Sequence, residues 1–585
     1  MNNMRLFFTF LKKNKLLVLV TSSLILLQSV ATLLIPYLIA QLIDKGILEK
    51  NSSVVYSIGI KMLLTVLVGA VVGVLGSYYA SEIASRFGKE TRKRLFRKIQ
   101  QLSLNDTNKI GVASLVTRTS SDVVNIQEVT LSLFQMVLPS PFMAIISILL
   151  AYRVSPVMTV IPLVSILIFI SVITVIMFKS TRLINNIQKK MDKMTMLVRQ
   201  FFKGVKIIRA FDNADFEKNK VDGSFNDFAD NMIRINKYFA FLTPVAFSLN
   251  SLTMIPIIWV GSSLVAENSI QVGAITAVIG YSVLTMSSFI MTALIMFNIP
   301  RAIASLNRLQ EVLVLQPEVE DEDHLVEKVD FTVQPALSFE NVTFNYQGAD
   351  KSVLEDLDFS INTGEVLAIV GGTGSGKSTI AKILLRFNNI QAGRILIHGT
   401  DISKILQKDL RSLISYVPQR AFLFSGTIRD NILDGNKAAT PDEIRHAARV
   451  AQALPFIEEQ DKKFNASVSQ GGTNFSGGQK QRLAIARALI KKSHIYVFDD
   501  SFSALDYKTD AKLRAALKPE LKDAVTLIIA QRISTIIDAD KIIVLNEGKI
   551  VGKGTHSELI EKNPVYQELA RSQNMLSESE VKKDV

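Results

Sequence analysis

The sequence predicts an α-helical six-span transmembrane domain followed by an α/β P-loop nucleotide-binding domain. Six long apolar stretches fill residues 1–300, a Gly-rich loop follows a β-branched run at 366–379, and a second buried run ends on Asp499. The chain has 585 residues, of which 48% are hydrophobic and only 20% charged. Its mean hydropathy of +0.28 is too high for an ordinary soluble protein.

A helix needs about 20 mostly apolar residues to cross a bilayer. Stretches 16–43, 58–81, 130–152, 155–178, 239–266 and 273–299 meet that requirement. Apart from Lys61, near one end of the second, none contains Asp, Glu, Lys, Arg or His. Lys61 can snorkel to the interface. The first stretch is too long for a signal core and lacks a small-residue cleavage site, so it reads as a retained span.

Basic residues mark the sides. Lys12, Lys13 and Lys15 precede the first span; Arg86, Lys89, Arg92, Lys93, Arg94, Arg97 and Lys98 follow the second; Lys179, Arg182, Lys189, Lys190 and Lys193 follow the fourth. The connections at 44–57, 153–154 and 267–272 carry few. The positive-inside rule puts both termini, two long loops and the nucleotide-binding domain in the cytoplasm of a multi-pass plasma or inner membrane protein. The same clustering accounts for the net charge of +13 without a nucleic-acid partner. Zero cysteines exclude disulfides and thiolate chemistry.

The loops 82–129 and 180–238 are polar with apolar residues at helical spacing, which fits helices running on from the spans, the alternative being disordered basic loops. Pro36, Pro139, Pro141, Pro162, Pro244 and Pro256 lie within or at the ends of spans, where they permit bending or are merely tolerated. Met254, Met286, Phe289, Met291, Met296 and Phe297 suit either a wall for lipophilic ligands or ordinary helix packing. The spans hold no carboxylate, against a proton- or sodium-driven carrier.

The expected domains are 1–315 in the membrane, a linker at 316–332 with Glu318, Glu320, Asp321, Glu322 and Asp323, a nucleotide-binding domain at 333–575, and a charged disordered tail at 576–585. Val366–Val370 reads as a strand entering Gly371-Gly-Thr-Gly374-Ser375-Gly376-Lys377-Ser378-Thr379, and 380–386 as the helix leaving it. Gly371, Gly374 and Gly376 let the backbone N–H groups face phosphates, Lys377 offers a cation, Ser378 a hydroxyl for Mg²⁺ and Thr379 a further hydrogen bond. Ile495–Phe498 reads as a buried strand leading to Asp499, a partner for hydrated Mg²⁺. Between them, Phe475-Ser476-Gly477-Gly478-Gln479 precedes a helix expected at 480–490 and suits a second phosphate contact.

Walker A, a signature loop and Walker B, in that order behind six spans, resemble the ATP-binding cassette (ABC) transporter superfamily, exporter type, along essentially the whole chain. The resemblance implies ATP and Mg²⁺ as cofactors, Tyr346 stacking on adenine, Gln419 in Val-Pro-Gln as the Q-loop residue near Mg²⁺, and Ser503-Ala-Leu-Asp506 as the D-loop. It also implies coupling regions around Gly111, Ser114, Arg118 and Asp122 and around Arg209-Ala-Phe211. In this family two cassettes close head to tail, so a chain with one copy of each motif is half a transporter.

The pattern departs from the family at three positions. Asp500 stands where efficient members carry Glu, Gln531 where they carry the switch-loop His, and Gln470 at a usually acidic position. Asp lacks one methylene, which withdraws the carboxylate by about 1.5 Å, and misplacement of about 1 Å can cost about 100-fold in rate. Gln531 can hydrogen-bond a phosphate but cannot carry charge or relay a proton. The expectation is therefore a heterodimer with a second half-transporter, in which this chain supplies a degenerate ATP site and exports lipophilic small molecules. Lipid or peptide export, or a homodimer with a slow Asp site, are the alternatives.

Overall fold

The structure, a computed structural model, describes residues 5–296, 298–321, 329–346, 348–349 and 351–573. Glu322 and Asp323 of the linker, Phe297 and the tail 576–585 lie outside the described residues. The chain divides into two compact units, one formed by residues 1–100 and 111–315, the other by residues 101–110 and 316–585.

Among the described residues, six helical segments are long and apolar enough to cross a membrane: Lys15–Ile47, Ser52–Gln101, Val112–Val154, Pro156–Ser180, Ala214–Ala266 and Val272–Val314. Helix runs through both long loops. Ser52–Gln101 is one helix of 50 residues, and Pro156–Ala210 is one of 55 that packs against Ala214–Ala240. This excludes disordered loops at 82–129 and 180–238. Pro156 starts a helix, where a missing N–H costs nothing, Pro139 directly follows the π-helical turn Leu133–Val137, and Pro36, Pro162 and Pro256 are tolerated inside helices.

Small polar groups tie the spans together, as expected where no hydrophobic effect drives helix association. Ser165 and Thr253 hydroxyls meet at 2.6 Å, and Thr285 donates to Ser147 at 2.6 Å. The third span contains a π-helical turn at Leu133–Val137, and Thr292 donates to the Met136 carbonyl at 2.9 Å. Met286 is buried with Phe169 and Ala246, and Phe289 packs on them, so these two serve packing. Met291 instead joins Met136 and Met143 beside Gln28 and Gln135 in a cavity of about 310 Å³.

On the helix Ile299–Val314, Arg308 donates to Asp122, Nε to Oδ2 at 2.8 Å and Nη2 to Oδ1 at 2.5 Å, and Ser305 Oγ also donates to Asp122 at 2.9 Å. Asp122 is only 1% exposed. Arg118 is buried too, donating to the Arg308 carbonyl and pairing with Glu311 at 2.8 Å. Both residues therefore fasten the segment 112–132 to the helix that continues the sixth span.

Among the described residues the second unit contains twelve strands: β1 (Leu337–Phe344), β2 (Leu354–Ile361), β3 (Val366–Gly371), β4 (Ala392–Ile397), β5 (Thr400–Asp401), β6 (Ile414–Val417), β7 (Gly426–Thr427), β8 (Ser467–Val468), β9 (Ile495–Asp499), β10 (Val525–Ile529), β11 (Lys541–Asn546) and β12 (Lys549–Gly554). One sheet runs β12-β11-β3-β10-β9-β6, another β2-β1-β4-β5, and β7 pairs with β8. In the six-stranded sheet, neighbours from β11 to β6 are parallel. Burial on both faces explains why β3, and β9 up to Asp499, read as apolar runs, and why β10 is apolar apart from Thr526. One apolar core joins the two larger sheets and the helix Lys377–Leu384; a second packs the sheet's other face against Gly477–Leu489 and Tyr507–Glu520.

The helices at both phosphate-loop motifs begin earlier than expected. Lys377–Leu384 starts at the lysine itself, capped by Gly376. Gly477–Leu489 starts at the first signature glycine because Ser476 and Gln479 form a capping box, which outweighs the low helix propensity of two glycines.

Candidate functional site

β3 and β9 lie on either side of β10 and end at the same edge of the parallel sheet, which brings the Gly-rich loop beside Asp499. The loop's geometry rests on two kinds of glycine. Gly374 and Gly376 have φ of 84° and 98°, which side-chain-bearing residues avoid. At Gly371 a Cβ would lie 2.1 Å from the Leu545 carbonyl oxygen, so close strand packing requires its absence.

Lys377 folds back over this loop, donating to the carbonyls of Gly371 at 2.8 Å and Gly372 at 2.5 Å and to Ser375 Oγ at 3.3 Å. Burial pushes its ammonium below the ordinary lysine range, opposed by the charges of Asp500 and Asp499. Ser375 Oγ donates to Gly372 O at 2.9 Å, and the buried Thr379 donates its N–H to Gly376 O at 2.9 Å.

Ser378 Oγ donates to Asp499 Oδ1 at 2.7 Å, across 121 residues of sequence. Tyr416, on β6, donates its hydroxyl to Asp499 Oδ2 at 3.1 Å. Burial raises the Asp499 carboxyl above its usual range; the bonds from Ser378 and Tyr416 act the other way, and Asp500 adds to the rise. Burial and the adjacent Asp499 also push the Tyr416 phenol up. Sequence reasoning missed Tyr416, whose one signal is its place just before Val417-Pro418-Gln419 at the end of a buried strand.

Asp500 is buried, in a left-handed turn with φ of 47° that Asp tolerates better than most residues. Its N–H donates to Ile529 O at 2.7 Å, and Gln419 Nε2 donates to its Oδ2 at 2.9 Å. The metal candidates thus divide: Ser378 and Asp499 meet, whereas Gln419 engages Asp500. Among the described residues no group of three His, Asp or Glu side chains could hold a metal. The Ser378–Asp499 pair fits a hard cation such as Mg²⁺, which takes one or two protein oxygens and completes its shell with water and phosphate oxygens.

The remaining candidates sit apart from this pair. Tyr346 packs edge-on to Phe344 with centroids 4.9 Å apart, and the Lys382 ammonium lies 6.0 Å from its ring centre. Ser476 N–H donates to Gln479 Oε1 at 2.9 Å and Gln479 N–H to Ser476 Oγ at 3.3 Å, leaving Gly477 and Gly478 at an exposed helix start. Gln481 from the same helix donates to the Pro418 carbonyl at 3.1 Å. Asp506 caps Tyr507–Glu520 by accepting from Thr509, which holds its carboxyl below the usual range. Gln531 and Gln470 are exposed.

Residues 18–289 match the ABC transporter transmembrane region and residues 354–503 the ABC transporter domain. The chain is 34% identical to the ABC transporter ATP-binding protein YfiB of Bacillus subtilis, over 97% of this chain and 98% of that protein. It is 31% identical to an ATP-dependent lipid A-core flippase of Desulfotalea psychrophila, covering 92% and 93%. A bacterial Atm1-family ABC exporter solved with ATP bound superposes with a TM-score of 0.81, at 24% identity, covering 97% of this chain and 99% of that one. The chain belongs to the ABC transporter family. It has the exporter-type fold of a half-transporter, with one membrane region and one ATPase domain.

Proposed function

We propose that this protein is the degenerate-site half of a heterodimeric ABC exporter for lipophilic compounds, with its termini and ATPase domain on the cytoplasmic side of the cell membrane. The observation that carries the reading is the Asp500 carboxylate, one methylene short, tied to Gln419 and accompanied by Gln531 rather than histidine. A base must come within about 2.6–3.2 Å of the water it orients, and a shortened, engaged carboxylate is poorly set to do so.

The binding parts are complete. The Gly371–Gly376 backbone would cradle the phosphates of ATP, with Tyr346 against the adenine. Lys377 would exchange its loop carbonyls for phosphate oxygens, and Ser378 with Asp499 would hold Mg²⁺. The bound Mg²⁺ supplies charge neutralisation at the phosphates. Ser476, Gly477, Gly478, Gln479 and Asp506 would serve the other ATP, across the interface with a partner that carries Glu and His at the two altered positions. Hydrolysis would run mainly there, and ATP-driven cassette closure would turn the membrane cavity outward.

The mixed lining of Met136, Met143 and Met291 with Gln28 and Gln135 suits greasy molecules with a polar end. A lipid cargo is the second reading, favoured by the relative named as a lipid A-core flippase. The test is vesicle uptake of a fluorescent dye and of a labelled lipid, by this chain alone and with candidate partner half-transporters. Transport only in the paired vesicles supports the heterodimer; full transport by the chain alone refutes it.

A further inference from the structure

We infer that Gln573, at the end of the helix Pro564–Ser572, is a positioning residue for the loop that carries Gln531. Gln573 Nε2 donates to the Gln531 carbonyl at 2.8 Å, and Gln573 Oε1 accepts from the Ile533 N–H at 2.8 Å. One side-chain amide thus closes on both sides of Arg532, satisfying a carbonyl and an N–H two residues apart, as a neighbouring strand would.

The loop needs such a partner. β10 ends at Ile529, and after Ala530 bonds to Ile369 O the chain leaves the sheet, with Gln531 and Arg532 exposed. The clamp itself stands on a fixed base. Tyr566 and Ala570 of its helix are fully buried and Asn563 caps the helix by accepting from Tyr566 N–H, contacts separate from the bond of the Tyr566 hydroxyl to His556 Nδ1 at 2.7 Å. Gln573 therefore links a well-buried helix to the loop that carries Gln531, the residue that, under the degenerate-site reading proposed above, would hydrogen-bond a phosphate of ATP in place of the switch-loop histidine. Gln531 cannot attract that phosphate by charge, so its hold depends on where the backbone puts it. The inference rests on that assignment of Gln531.

The test uses the purified full chain in lipid nanodiscs, with two readouts: hydrogen–deuterium exchange at the Ile533 amide, and the release rate of a fluorescent ATP analogue with Mg²⁺. Gln573→Ala loses both bonds; Gln573→Glu keeps an acceptor for Ile533 but sets a carboxylate against the Gln531 carbonyl. Tyr566→Phe removes the His556 bond and serves as a purely structural control. The expected result is exchange and release each faster by about tenfold in Gln573→Ala. In Gln573→Glu exchange stays slow at Ile533 while release quickens, and Tyr566→Phe remains within about twofold of the parent. No change in Gln573→Ala, faster exchange without faster release, or an equal effect in Tyr566→Phe would overturn the inference. Each outcome is a ratio to the parent protein, so it stands apart from the parent's own hydrolysis rate, which tests the degenerate-site reading.

Discussion

Gln419 donates its side-chain amide to the Asp500 carboxylate, Nε2 to Oδ2 at 2.9 Å. The residue expected beside the metal thus holds the residue expected beside the attacking water. The pairing occupies one carboxylate oxygen of a side chain that is already short. Asp500→Glu restores the missing methylene, and is expected to raise single-turnover ATP cleavage at this chain's own site by about ten- to hundredfold. Adding Gln531→His should raise it further, as measured by phosphate release from the purified chain. No gain in either variant would mean that reach is not what limits the site.

The buried Asp499 carboxyl titrates above its ordinary value, and Tyr416 restrains that rise by donating to the charged form. Mg²⁺-dependent ATP binding should therefore fall as the pH drops through this raised pKa, earlier than for an ordinary carboxylate. Tyr416→Phe removes a donor to the carboxylate, so the midpoint should move to higher pH. The sign for folding is opposite. Because the native state holds this proton more tightly than the unfolded chain, Asp499 disfavours the fold at neutral pH, and the penalty lessens on acidification through the raised pKa. Fluorescent-nucleotide titrations across pH with and without Mg²⁺ check the binding claim.

Gly376→Ala would set a Cβ 2.6 Å from Leu354 Cδ2 and 2.9 Å from the Val353 carbonyl, at a φ of 98°. Strain of about 1–3 kcal/mol is expected, enough to lower ATP affinity by about five- to hundredfold. Since the loop lies on the sheet's edge, circular dichroism should stay close to that of the parent while isothermal titration records the loss.

Removing the Asp122 carboxylate leaves Arg308 and the Ser305 hydroxyl without their shared acceptor. Arg308 is partly exposed and regains water, so Asp122→Ala should cost about 1–3 kcal/mol rather than the full penalty of a stranded buried charge. A lower unfolding midpoint in detergent, with nucleotide affinity unchanged, is the expected pattern.

The parts of the site carried by contiguous motifs were legible in the sequence. Lys377 and Ser378 sit in one loop and Asp499 ends an obvious buried strand, so their approach follows from two parallel strands ending at one edge. Tyr416 escaped notice because a tyrosine in a short strand is an ordinary β-former, and its hydroxyl's target lies 83 residues away. Gln573 carries no local signal at all, since only packing of the last helix brings it to a loop 42 residues earlier. Arg118 and Asp122 read as coupling residues by resemblance, yet their burial against Arg308 depends on a pairing across 186 residues that no local pattern reveals. The signature helix begins three residues before its expected start because Ser476 and Gln479 cap each other, although serine and glycine there had suggested only a phosphate contact.

The most direct test follows the fate of radiolabelled ATP on the purified chain without any partner, in a single turnover with protein in excess. Nucleotide is expected to be retained and to remain triphosphate long after a hydrolytically competent site would have cleaved it. Rapid conversion to diphosphate, abolished by Asp500→Asn, would contradict it.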